Sequence, residues 1–329
     1  KVFLGQNITN NQLVAIKVEK RNILKPLLEE ETYILYAIKD GLGIPKILSF
    51  GKTKNYCILV EPLLWKSLFD IVQENQYKFC LEDVCLIGRQ LIERIQWIHS
   101  KYILHRDIKP QNLLIGKDNP DIIYLIDYGL SKKYRSSQSN KHIQFRFTGK
   151  LTGTVRFAST NAVRGWEQGR RDDIESIGYL LIYFMKGSLP WQGVKCRNKL
   201  AKYYRIYQMK KEIKPSKLCE GLPVEMETFI DYSKKLDFEQ EPNYGFLRSL
   251  FAKILEKKYG KTCDKFIFSW INLNDFSKIK RKANPGSRRE SPQSRLYKKI
   301  QNSLEIKRRS SSESSGSKNG SFEHGHIVL

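Results

Sequence analysis

The segment His105-Arg106-Asp107-Ile108-Lys109-Pro110-Gln111-Asn112 constrains this chain more than any other stretch. Asp107 can accept a proton from a hydroxyl, Lys109 can neutralise a phosphate, and Asn112 can hold a divalent cation through its amide oxygen. An apolar run follows, Ile122-Ile123-Tyr124-Leu125-Ile126, and it ends at a second acidic residue in Asp127-Tyr128-Gly129. A proton acceptor, a metal amide, a strand and a metal carboxylate, in that order, are the parts of one reaction centre. The fold must therefore bring these side chains to a single cleft. His105 is expected to pack and hydrogen-bond within this loop, because Asp107 is better placed to act as a base.

Length and charge narrow the rest. At 329 residues, with 40% apolar residues, the chain can build one large domain or two lobes and a tail. The longest apolar run, near Ile177–Met185, is too short to cross a membrane, and no signal peptide opens the chain. The six cysteines lie far apart with no C-x-x-C pair, which argues for free thiols in a reducing compartment and against a zinc site. A cytoplasmic or nuclear location follows. The net charge is +24; from Lys278 onward 13 basic residues face 4 acidic ones, so +9 lies in the tail and +15 in the remainder. That surplus attracts anions such as nucleotides, acidic or phosphorylated peptides, or nucleic acid.

Along the chain, Lys1–Gly5 and Val14–Val18 read as strands joined through an asparagine-rich turn. Leu27–Lys39 has helical spacing, with Glu31 on the same face as Ile34, Leu35 and Ile38. A carboxylate on an inward face is costly unless paired, so Glu31 is the expected partner of Lys17. Lys46–Phe50 and Tyr56–Val60 read as further strands, after which Glu61-Pro62-Leu63 is expected to leave the sheet. The remainder reads as mostly helix. Val84, Ile87, Gly88, Leu91, Ile95 and Ile98 form one stripe from Glu82 to His99, and Ile174–Lys186 is apolar enough to be buried all round. Ser131–Lys150 is expected to be a flexible basic stretch, and Asp172 and Asp173 to cap the helix that follows them.

In this setting Val14-Ala15-Ile16-Lys17 resembles the strand motif whose lysine reaches the ATP phosphates, and the order of motifs is similar to that of a protein-kinase core. The chain further resembles the casein kinase 1 family of Ser/Thr protein kinases from Val2 to about Asn272. The resemblance rests on Gly43-Ile44-Pro45, Ile98-His99-Ser100-Lys101, Lys132-Lys133-Tyr134-Arg135, Leu151-Thr152-Gly153-Thr154, Arg170-Arg171-Asp172-Asp173 and Gly187-Ser188-Leu189-Pro190-Trp191-Gln192-Gly193. Ala158-Ser159-Thr160-Asn161 stands where that family has a Ser-Ile-Asn element, and Ala-Pro-Glu is absent.

The resemblance implies an α+β, two-lobed kinase fold: an N-lobe remnant over 1–62, a helical C-lobe over 63–276 and a disordered, basic, Ser-rich tail over 277–329. It implies ATP and Mg2+ as cofactors and acidic or pre-phosphorylated proteins as partners. It makes Asp107 the catalytic base, Lys109 the γ-phosphate contact, and Asn112 and Asp127 the metal ligands. Lys17 and Glu31 become the phosphate-anchoring pair, and Asp173 a brace for the catalytic loop. Glu61 and Leu63 belong to the hinge beside the adenine, with the donor N–H on Leu63 because Pro62 has none. Arg156, Lys202 and the backbone of Gly193 form a substrate anion pocket, from which one family lysine is displaced, since Gly149 takes its place and Lys150 follows. Tyr128 replaces the usual Phe.

The family's Gly-rich loop would lie upstream of Lys1, so the sequence reads as a fragment of a longer one. The alternative is an impaired pseudokinase or scaffold. A monomer is expected and nucleic acid is not the expected partner, although Lys278–Arg309 would be the segment to bind it. Serines three apart in the tail, Ser311/Ser314 and Ser312/Ser315, suggest phosphorylation and fold-back onto the basic site.

Overall fold

Alternating apolar residues in Leu13–Lys20 and Tyr56–Pro62 build the centre of a four-stranded antiparallel sheet. A computed structural model describes residues 1–24, 26–74, 78–136, 138–260 and 266–271. The tail expected over 277–329, with its serine pairs, lies outside the described residues. The sheet has the order β1-β2-β4-β3, with β1 at Val2–Gln6, β2 at Leu13–Lys20, β3 at Ser49–Lys52 and β4 at Tyr56–Pro62. On one face Val14, Ile16 and Val60 form a small cluster. On the other, Cys57 and Leu59 join the main core beneath helix α1 (Leu28–Ile38).

Two boundaries differ from expectation. β3 starts at Ser49, not Lys46. Its register pairs Ser49 with Val60, so Lys46 and Ile47 would face Leu63 and Pro62, where Pro62 has no N–H to give and the partner strand ends. β4 conversely continues through Pro62, with Glu61 opposite Ala15 and Pro62 opposite Val14. The chain leaves the sheet at Leu63.

The second lobe is helical. It contains α2 (Leu68–Glu74), α3 (Leu81–Ser100), the short strands β5 (Ile103–Leu104), β6 (Leu113–Ile115), β7 (Ile123–Leu125) and β8 (Lys132–Lys133), then α4 (Thr160–Arg164), α5 (Arg170–Lys186), α6 (Lys199–Glu212), α7 (Pro215–Leu218), α8 (Val224–Lys235) and α9 (Tyr244–Tyr259). The expected stripe of α3 is buried from Val84 to Ile98 and packs on α5 and α9. α5 is buried on all sides, from Asp172 to Phe184. It approaches α8 so closely that a Cβ on Gly178 would come within 2.5 Å of Ile230. No helix among the described residues is long and apolar enough to cross a membrane.

Candidate active site

The catalytic-loop residues fall between α3 and the β6–β7 hairpin. Pro110–Asn112 is a single 3-10 turn, and β6 begins directly after it. Asp107 is buried, and both of its carboxylate oxygens are engaged: Thr154 Oγ1 donates to Oδ1 at 2.7 Å, and Lys109 Nζ contacts Oδ2. Asn112 Nδ2 donates to the Asp107 carbonyl at 3.0 Å, which turns its amide oxygen the other way. The Ile126 N–H donates to the Asn112 carbonyl at 2.9 Å, tying the end of the β6–β7 hairpin to the loop and setting Asp127 beside Asn112. Asp127 has φ 68° and Arg106 φ 67°, left-handed conformations that cost energy for residues with a side chain. Gly153, at φ 96°, meets the same loop; a Cβ there would come within 2.4 Å of the Arg106 carbonyl.

Across the cleft, Lys17 on β2 reaches the α1 carboxylate: Nζ to Glu31 Oε1 is 2.7 Å. The same Glu31 oxygen accepts the Tyr128 N–H at 3.2 Å, so one carboxylate joins the sheet to the segment carrying Asp127. Lys17 has a second partner that the sequence reading missed. Glu61 Oε2 lies 3.0 Å from Nζ. Glu61 was expected to act through its backbone in a hinge. Because β4 runs on through Pro62, pleating instead puts the Glu61 side chain on the face of Cys57 and Leu59, towards Lys17. The signal was present in the alternation from Cys57 through Leu59 to Glu61. Burial would lower the Lys17 pKa, but the charges of Glu61 and then Glu31 raise it well above its ordinary value. Burial pushes Glu61 up, against the pull of Lys17, and the Glu31 and Asp127 charges push it further. Leu63 follows at the exit from the sheet, half-buried.

Asp172 and Asp173 divide the work expected of them jointly. Asp172 caps α5, accepting the Gly169 N–H at 2.7 Å and the Ser159 hydroxyl. Burial raises its pKa to about 7, against those hydrogen bonds. Asp173 turns to the catalytic loop: Oδ2 accepts the His105 N–H and Oδ1 the Arg106 N–H, each at 2.9 Å, while His99 Nε2 lies 2.9 Å away. Burial opposes its ionisation, yet His99 and these N–H groups hold the carboxyl below its ordinary range. His105 is fully buried and packs edge-on to Tyr128 at 5.1 Å.

Several residues of the basic stretch Ser131–Lys150 make contacts with distant parts of the chain. β8 pairs with β5, the Tyr134 hydroxyl donates to the His99 carbonyl at 2.7 Å, and Glu167 takes Lys132 at 2.9 Å and Arg146 at 3.2 Å. Its aromatic residues find partners only in the folded chain, as Phe145 does on Trp166 at 4.9 Å.

Lys17, Glu31, Lys109, Asn112, Asp127 and Thr154 line one cavity of about 680 Å³ between the lobes. Separate segments thus deliver an anchored lysine, an acid–lysine pair, and an amide–carboxylate pair to one cleft. The family model for the protein kinase domain matches residues 1–271. The chain belongs to the protein kinase domain family. A kinase domain uses ATP and a divalent metal and acts on protein substrates. Among the described residues of this one, no group of three or more His, Cys, Asp or Glu could hold a metal alone. Asn112 and Asp127 offer two oxygen donors, which suits a cation that completes its shell with phosphate oxygens and water.

A second, smaller cavity of about 110 Å³ lies in the kinase domain's C-lobe, lined by Arg156, Gly193, Lys202, Gln192, Trp191 and Ile206. The three residues expected to form an anion pocket do meet there, and neither Gly149 nor Lys150 is among its lining residues. Beneath it lies Lys210, unforeseen from the sequence. Its fully buried ammonium donates to the carbonyls of Val155 (3.0 Å), Arg156 (3.2 Å) and Ala158, and sits on the Trp191 and Tyr179 rings. Burial pulls its pKa down to about 7.

Proposed function

We propose that this kinase domain is of the casein kinase 1 type and transfers the γ-phosphoryl of MgATP to Ser or Thr of acidic or pre-phosphorylated protein segments. The observation that carries the reading is the convergence of Lys17, Lys109, Asn112 and Asp127 on one cavity beside Asp107. Lys17, held by carboxylates, presents its remaining N–H to the ATP phosphates. Lys109, in contact with Asp107, faces the γ-phosphoryl. Asp107, fixed by Thr154, orients the incoming hydroxyl and accepts its proton as the oxygen–phosphorus bond forms and the bond to the ADP oxygen breaks. Asn112 and Asp127 would hold Mg2+, which supplies countercharge to the phosphate oxygens. The chain's own contribution is position and charge. Asp173 keeps the loop in register by fixing two of its N–H groups.

Arg156 and Lys202, beside the Gly193 backbone, suit a phosphate already present on the substrate. The test compares MgATP-dependent phosphorylation of three peptides: an acceptor serine with a nearby phosphoserine, the same peptide unprimed, and one with tyrosine as acceptor. The primed serine peptide should give the highest kcat/KM, and Arg156→Ala with Lys202→Ala should remove about tenfold of its advantage. Equal rates on primed and unprimed peptides, or preference for tyrosine, would contradict the assignment.

A further inference from the structure

Lys17 is held by two carboxylates where one is enough to fix it. Glu31 from α1 and Glu61 from β4 stand at 2.7 and 3.0 Å from the same Nζ. Glu61 is 5% exposed, and its Oε1 is buried without a hydrogen-bond partner. It sits on the same face as the apolar Cys57 and Leu59, and its burial limits screening by solvent. Other charges near it do not relieve it, since Glu31 and Asp127 are both acidic. One lysine charge is thus set against two buried carboxylates at the place where nucleotide phosphates would dock.

We infer that Glu61 is a specificity-determining residue that weakens the cleft's hold on polyphosphate by over-neutralising Lys17. The inference rests on the nucleotide reading of this cavity. Glu31 alone satisfies the geometric need, because it binds both Lys17 and the Tyr128 N–H. Glu61 adds negative charge, and in a poorly screened site that charge repels the phosphates that Lys17 attracts. The expected consequence is selective. Affinity for a phosphorylated nucleotide is depressed, while affinity for the uncharged nucleoside is not.

The experiment measures dissociation constants of the full chain for Mg2+ with a non-hydrolysable ATP analogue and, separately, for adenosine, in wild type and Glu61→Gln. The amide keeps an oxygen for Lys17 and removes the charge. The variant should bind the analogue at least about tenfold more tightly, since a unit charge within about 10 Å of a phosphate is worth more than one power of ten at an effective dielectric near 20. Its adenosine affinity should change less than about twofold, since adenosine carries no charge for Glu61 to repel. Glu61→Met, with a thermal melt to confirm folding, should move the analogue in the same direction. Unchanged or weaker analogue binding in folded variants, or an equal gain for adenosine, would overturn the inference while leaving wild-type nucleotide binding and the proposed function standing. Absence of analogue binding in wild type and variants alike would overturn both.

Discussion

Asp107 has a partner on each carboxylate oxygen, and the partners do different things. Thr154 orients the group; Lys109 supplies charge. Asparagine at 107 can keep the Thr154 contact but cannot take a proton. Asp107→Asn should therefore lower kcat by about three powers of ten, roughly 4 kcal/mol of barrier, with the thermal melt unchanged; steady-state phosphorylation and a melt of the same sample check it. Asp172 makes a different prediction. Its carboxyl is buried and its pKa is raised to about 7, against about 4 in the unfolded chain. Below about pH 4 both states hold the proton; between there and pH 7 only the folded state does. Its contribution to stability is thus full in acid and is lost as pH rises to 7. Urea denaturation of wild type and Asp172→Asn from pH 4 to 8 should show the variant gaining on wild type as pH rises, then holding level. A constant difference would contradict this.

At the scale of elements, Lys210 on α6 is the fastener between that helix and the Val155–Ala158 segment, which carries Arg156 into the second cavity. Methionine there fits the aromatic walls but takes the ammonium from the Val155 and Ala158 carbonyls, while the Arg156 carbonyl keeps the Trp191 Nε1–H at 2.7 Å. Lys210→Met should cost about 3 kcal/mol in urea unfolding, and should weaken binding of a primed peptide through Arg156. The long elements were readable because their periodicity is local: the stripe of α3 and the uniformly apolar α5 need no knowledge of their partners. What eluded sequence reasoning depends on distant contacts. The end of β4, and hence the direction of Glu61, is set by pairing with β2. The contacts of Lys132, Tyr134 and Phe145 are with Glu167, His99 and Trp166, which lie beyond their segment. The Lys17–Glu31 pair was readable because a buried glutamate on a helix face needs a cation, and few are available.

At the scale of the molecule, the two lobes are coupled through polar groups at the cleft. Glu31 reaches from the sheet side to the Tyr128 N–H, while within the helical lobe Asp173 holds the catalytic loop to α5. One hydrophobic core runs from Leu28, Leu35 and Leu59 of the small lobe into the helical lobe, and Glu31 adds the polar link between Lys17 and the segment carrying Asp127. The positive surplus of +15 ahead of the tail suits a domain that takes an anionic nucleotide. The most direct test of the cleft as a phosphoryl-transfer centre is the initial rate of γ-phosphoryl transfer from MgATP to a primed serine peptide by wild type and Asp127→Asn. The prediction is phosphoserine product with wild type and a fall of about three or more powers of ten in the variant. No product from wild type, or equal rates from the two, would contradict it.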